Sequence, residues 1–97
     1  MNRSFKDRGT EDVFHGRPTT AARRSCPPGL WAVARRKLDQ LDSVSDLRSL
    51  TIPPGNRLEA LRGDRAGEHS IRVNARYRVV FTWTGAGPEQ VEIVDYH

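Results

Sequence analysis

Cysteine is almost absent from this chain. A lone Cys26 among 97 residues cannot close an intramolecular disulfide or build a thiolate metal cage, which fits a reducing compartment and leads us to expect a cytoplasmic protein. Long apolar runs are missing as well. The longest aliphatic-aromatic run is Val79-Val80-Phe81, far short of the ~20 apolar residues of a membrane span, and Arg3, Lys6, Asp7 and Arg8 interrupt any signal-peptide core. Membrane insertion and secretion are both disfavoured. There is no Walker loop, no G-x-G-x-x-G, no H-E-x-x-H and no C-x-x-C, so nucleotide-driven, dinucleotide and zinc chemistry drop out as leading ideas. Lysine is the last scarcity: of 16 basic residues only Lys6 and Lys37 are Lys, and the rest are Arg.

What is present is a short, polar, basic chain. Its length corresponds to one domain over residues 1–97, since two units would each fall below the size that sustains a core. With 36% hydrophobic and 29% charged residues and a mean hydropathy of −0.67, it can bury a small core and stay soluble. The 16 basic residues exceed the 12 acidic ones, giving a net charge of +4 and a pI near 10.0, within the range of nucleic-acid binders. Guanidinium groups grip phosphates bidentately and stack on bases, so the arginine bias points the same way, although a GC-rich genome would produce it too.

The chain divides at Ile52-Pro53-Pro54-Gly55-Asn56 into a helical first half and a strand-rich second half. Residues 2–6 can form a short opening edge strand. Thr10 followed by Glu11 and Asp12 resembles a helix N-cap with acids in the first turn, stopped by Gly16 and Pro18. A longer helix should open near Pro27-Pro28, with Leu30, Ala34, Leu38, Leu41 and Val44 along one face, and Ser45-Asp46-Leu47 can cap one further turn. Beyond Asn56 the hydrophobic period becomes two, predicting strands at about 57–62, 69–74, 77–83 and 90–96, joined by turns short enough to force antiparallel neighbours. In the third strand Tyr77, Val79, Phe81 and Trp83 share one face and Arg78, Val80 and Thr82 the other. The expected fold is therefore α+β: helices on one face of a mainly antiparallel four-stranded sheet whose other face stays open for binding or catalysis.

Three features of the second half bear on chemistry. Asp95-Tyr96-His97 places a carboxylate, a phenol and an imidazole at the exit of the last strand. RNA cleaved by its own 2′-hydroxyl needs a base for that proton, an acid for the departing 5′-oxygen and cations on the phosphorane oxygens. His97 suits the acid, Asp95 or Glu59 the base, and Tyr96 a stacking or phosphate-holding role. By itself the tripeptide also reads as a polar, frayed chain end. Upstream, Arg57, Arg62, Arg65, Arg72, Arg76 and Arg78 fall within 22 residues, and alternation directs Arg78 out of the exposed side of a central strand as a phosphate ligand. Arg62, Arg65, Arg72 and Arg76 are read as RNA phosphate contacts. Pairing of Arg62, Arg65 and Arg72 with Asp64, Glu68 and Glu92 as ordinary surface charges is the competing reading. His15 and His69 are read as capping or surface groups.

The segments Arg57-Leu58-Glu59-Ala60-Leu61-Arg62-Gly63-Asp64-Arg65, His69-Ser70-Ile71, Tyr77-Arg78-Val79-Val80-Phe81 and Val94-Asp95-Tyr96-His97 resemble the HigB branch of the RelE superfamily, the toxins of type II toxin–antitoxin modules. The opening Arg3-Ser4-Phe5-Lys6-Asp7 resembles that family's N-terminus. The resemblance spans nearly the whole chain, with its specificity in L-x-x-L-x-G-D-R and the closing D-Y-H. It implies a RelE-like fold and a ribosome-dependent endoribonuclease that enters the A site and cuts mRNA without metal or organic cofactor. A HigA-like antitoxin with a helix-turn-helix domain would neutralise it, and operator DNA would be reached only through that antitoxin. Asp95, Tyr96 and His97 fall on the family's catalytic run, Arg78 on its strand arginine, and Arg62 and Arg65 on the basic residues of the glycine turn. Glu59 stands where the family pattern has a histidine. Two further readings stay open: a non-catalytic RNA-binding module, and a weakened toxin whose remaining role is to hold an antitoxin and tune its operon.

Overall fold

The computed structural model describes residues 4–95. Three helices, α1 (Arg8–His15), α2 (Thr20–Ser25) and α3 (Trp31–Ser43), precede four strands, β1 (Glu59–Ala60), β2 (Glu68–Arg72), β3 (Tyr77–Thr84) and β4 (Gly87–Asp95). The strands form one antiparallel sheet in the order β1-β2-β3-β4, as the short turns require. The expected opening strand is reduced to a single parallel bridge between Phe5 and Val91, flanked by hydrogen bonds from Lys6 N to Val91 O (2.8 Å) and from Val91 N to Ser4 O (3.0 Å). Residues 2 and 3 of that segment lie outside the described residues. Among the described residues no helix is long and apolar enough to cross a membrane.

The first helix starts one turn earlier than its Thr10-Glu11-Asp12 signal suggests. Asp7 is the N-cap, its carboxylate accepting from Thr10 N at 2.7 Å, and Gly16 ends the helix in the left-handed region at φ 75°. Thr10 lies inside the helix, fully buried, where its hydroxyl accepts from Ile93 N at 2.9 Å. That bond satisfies a backbone donor on the edge strand β4, a use of the side chain no local pattern reveals. The six-residue α2 has no apolar stripe and was not anticipated. Thr19 caps it by accepting from Ala22 N at 3.1 Å, and Gly9 lets it pack closely, because a β-carbon there would lie 2.0 Å from Ser25 Oγ and 2.4 Å from Ala21 O. Asp12 joins the two helices by accepting from Thr19 Oγ1 (2.6 Å) and Arg17 Nη1 (2.9 Å).

A turn of 3₁₀-helix at Pro28–Leu30 leads into α3, whose stripe of Ala34, Leu38 and Leu41 is fully buried, as the spacing predicts. These residues, with Val13 and Leu50, meet Ile71, Val79, Phe81, Val91 and Ile93 of the sheet, and Tyr77 and Trp83 pack at the margin. The face assignment of β3 therefore holds. Opposite the core, Ser70, Arg78, Val80 and Leu61 are buried outside that cluster, so the second sheet face is partly covered. Cys26 is buried, which pushes its thiol up to about 11 and leaves it protonated.

Phe81 is the largest fully buried side chain, and Phe81→Ala should cost about 3–5 kcal/mol in denaturant unfolding. A cost under ~1 kcal/mol would contradict its place in the core. The Thr19 hydroxyl, reinforced by Arg17 against the opposing effect of burial, holds the Asp12 carboxyl below its usual value of 3.8. A depressed folded pKa contributes stability that is complete above the unfolded value and lost as pH falls through the folded one. The stability gap between wild type and Asp12→Asn should accordingly be widest above about pH 4 and close below it, in unfolding curves measured across that range.

Candidate active site

Strand register arranges the second face in rows. Glu59 pairs with Ser70, Ser70 with Val80 and Val80 with Glu92, while Arg72 pairs with Arg78 and Arg78 with Val94. Cross-strand partners share a face, so Glu59, Arg72 and Arg78 come together there, as alternation predicts for the two arginines, while the β1–β2 register adds Glu59. The expectation that Arg78 projects freely is corrected: the residue is only 9% exposed. The backbone at Arg57 turns over it in the left-handed region (φ 47°, ψ 54°), and the Arg57 carbonyl accepts from Arg78 Nη2 at 2.5 Å. On the other side Arg78 Nε donates to Ser70 Oγ at 2.7 Å. These acceptors compensate the desolvation of a guanidinium buried on a strand whose pattern alone suggested solvent. Glu59 Oε1 lies 3.8 Å from the same Nη2 with its side chain 53% exposed, and Glu59, Ala60, Leu61 and Arg62 line an open groove of about 660 Å³.

The other predicted phosphate contacts divide. Arg62 is exposed at the groove and Arg72 half-buried beside Arg78. Arg65 is engaged by carboxylates, its Nη1 donating to Glu68 Oε1 at 2.8 Å and to Glu92 Oε2 at 3.3 Å, and these partners raise its pKa, Glu68 most. Lys6 reaches the same Glu92 oxygen at 3.2 Å. Arg76 grips Asp95 bidentately at 2.9 and 2.8 Å, and its pKa is raised by that bond first. Asp95 is paired in register with Tyr77, so it belongs to the helix-facing side of the sheet, opposite Glu59 and Arg78. Tyr96 and His97 lie outside the described residues. His15 is exposed near Phe14 and Glu11, as its surface reading expects, whereas His69 departs from that reading: register places it on the face of the buried Phe81, where it is half-buried and stacked with centroids 6.1 Å apart. Among the described residues no group of three His, Cys, Asp or Glu side chains could hold a metal ion.

Sequence reasoning missed Ser70, the Arg57 carbonyl and Lys6 as parts of this arrangement. Ser70 could have been found, since alternation on β2 already placed it on the face of Arg72.

Residues 3–97 match the family model for HigB-like toxins, described as RelE-like toxins of type II toxin–antitoxin systems. The chain belongs to this family. It is 39% identical over 83 residues to Toxin HigB-1 of Vibrio cholerae serotype O1, covering 86% of this chain and 84% of that protein. An uncharacterized protein of Haemophilus influenzae is 37% identical over 57 residues, 59% of this chain and 56% of its own length. Among solved structures, a YoeB/ParE toxin from Agrobacterium tumefaciens aligns with 97% of this chain and 96% of its own at 22% identity and a TM-score of 0.48. Membership in a type II family implies an antitoxin partner for this HigB-like toxin.

Removing one acceptor from the buried Arg78 is informative about this toxin's second face. Ser70→Ala should destabilise it by about 1–3 kcal/mol, because the guanidinium keeps its desolvation but loses the Ser70 hydroxyl as an acceptor. Thermal or denaturant unfolding within error of wild type would show that the Arg78–Ser70 bond carries no net weight.

Proposed function

We propose that this HigB-like toxin is a ribosome-dependent endoribonuclease that cuts mRNA in the A site of the cytoplasmic ribosome by acid–base catalysis from side chains alone. A HigA-like helix-turn-helix antitoxin restrains it and carries any contact with operator DNA. The observation that carries this reading is the family match across residues 3–97, which includes both the Glu59–Arg78 face and the closing Asp95-Tyr96-His97. In the reaction, a base takes the proton of the ribose 2′-hydroxyl, the resulting oxygen attacks the adjacent phosphorus, and the 5′-oxygen leaves with a proton from an acid.

We assign the acid to His97 and the base to Glu59. Both oxygens of Asp95, the other candidate base, are engaged by Arg76 on the opposite side of the sheet, whereas Glu59 is half-exposed over a groove with a guanidinium 3.8 Å away. Arg78, held beside Glu59, can offset charge on the phosphorane. Arg62 and Arg72 hold flanking phosphates, and Tyr96 stacks on a base or holds a phosphate oxygen. Arg65 and Arg76, already paired with carboxylates, contribute to the field rather than as first contacts. A second reading rests on Glu59 itself: a carboxylate at the family's histidine position is compatible with a weakened toxin whose main role is to hold its antitoxin.

Induced expression in bacteria should arrest growth, and the antitoxin encoded beside the gene should restore it. Normal growth at verified protein levels favours the weakened-toxin reading. His97→Gln should lower single-turnover cleavage on ribosomes by about 10²- to 10⁴-fold while ribosome binding stays near wild type. Glu59→Gln should cost more than Asp95→Asn, and the reverse order would move the base to Asp95.

A further inference from the structure

One buried polar residue touches no part of the proposed reaction, yet its contacts lead directly to it. Asn56 is fully buried, and its side chain is bonded on every side. Oδ1 accepts from Lys37 Nζ at 2.5 Å, and Nδ2 donates to Gln40 Oε1 at 2.9 Å and Leu50 O at 3.1 Å, with a longer contact to Ile52 O at 3.5 Å. Gln40 in turn donates to Ile52 O at 2.6 Å. One amide thus ties α3 to both stretches of the connector between helices and sheet. An apolar side chain could fill the same volume without desolvating an amide and an ammonium, so filling space does not account for this choice.

The next residue is Arg57, whose backbone sits at φ 47° although it carries a side chain. A non-glycine residue holds that conformation only where its surroundings over-determine it, and such residues gather at functional sites. Here the surroundings are the Asn56 network together with hydrogen bonds from Asn56 N to Pro53 O (2.9 Å) and from Arg57 N to Pro54 O (3.1 Å). The product of the constrained turn is a carbonyl aimed at Arg78 Nη2, with Glu59 two residues further along and 3.8 Å from the same nitrogen.

We infer that Asn56 is a positioning residue for the Glu59–Arg78 pair: by locking the connector to α3 it fixes the Arg57 carbonyl against Arg78 and holds Glu59 over the groove. This rests on the reading of Glu59 and Arg78 as parts of the active site. The effect runs from helix to sheet through one amide and one peptide unit. It is a matter of geometry rather than of contact with RNA.

The test uses the full chain. Asn56→Asp keeps the volume and the Lys37 acceptor but removes both amide donors, and Lys37→Met paired with Gln40→Leu strips the network from the α3 side while leaving Asn56 and its bond to Leu50 O, in case the first variant does not fold. Two readouts apply to each folded variant. Nitrogen NMR of the Arg78 guanidinium should change from restricted to fast rotation about Nε–Cζ. Single-turnover cleavage on ribosomes should fall about 10- to 100-fold with ribosome affinity unchanged, the scale expected of a misplaced catalytic group. Folded variants with wild-type Arg78 rotation and wild-type cleavage would overturn the inference, as would a loss appearing only in ribosome affinity. If the wild type itself fails to cut on ribosomes, the active-site reading falls, and the NMR result still decides whether Asn56 sets Arg78.

Discussion

A guanidinium buried on the face of a sheet must find acceptors close at hand, and Arg78 imposes that requirement on everything around it. Ser70 supplies one from the neighbouring strand, the Arg57 carbonyl supplies another from a turn that must adopt left-handed backbone to do so, and Glu59 follows from the same turn. The short β1, the fold of the connector and the partial cover over the second face all accommodate this one side chain. The core on the opposite face is conventional by comparison. Phe81, Val79, Leu38 and Leu41 pack there as period-two and helical stripes dictate.

The helices serve as a scaffold for that second face without forming part of it. Asp12, Thr19 and Arg17 lock α1 to α2, Thr10 anchors α1 to β4, and Lys37, Gln40 and Asn56 anchor α3 to the connector. Each of these polar ties is buried or half-buried, and those of Thr10 and Asn56 join segments distant in sequence. They hold the sheet and the connector in fixed relation, as a small domain must do when its apolar core is modest.

The basic character of the chain has a finer structure than its net charge of +4 suggests. Arg65 and Arg76 are both committed to carboxylates, and Lys6 shares Glu92 with Arg65. Arg62 is exposed at the groove beside Glu59, and Arg72 is the cross-strand neighbour of Arg78.

The sequence by itself determined what local periodicity can encode. The alternation of Tyr77 to Trp83 specified which side of β3 faces the helices, the stripe of Ala34, Leu38 and Leu41 specified how α3 is buried, and short turns specified an antiparallel meander. The motifs from Leu58 to Arg65 and at Asp95-Tyr96-His97 carried the family. Only the tertiary structure decided what lies over each face and which charges meet. Thr10 serves β4 instead of capping α1, Arg78 is covered rather than open, Arg65 meets a carboxylate 27 positions away, and Asp95 is held by Arg76 on the side of the sheet away from Glu59. Alternation states the direction in which a side chain leaves its strand. What it meets there depends on segments brought together only by folding, and that information is spread along the chain rather than written beside the residue.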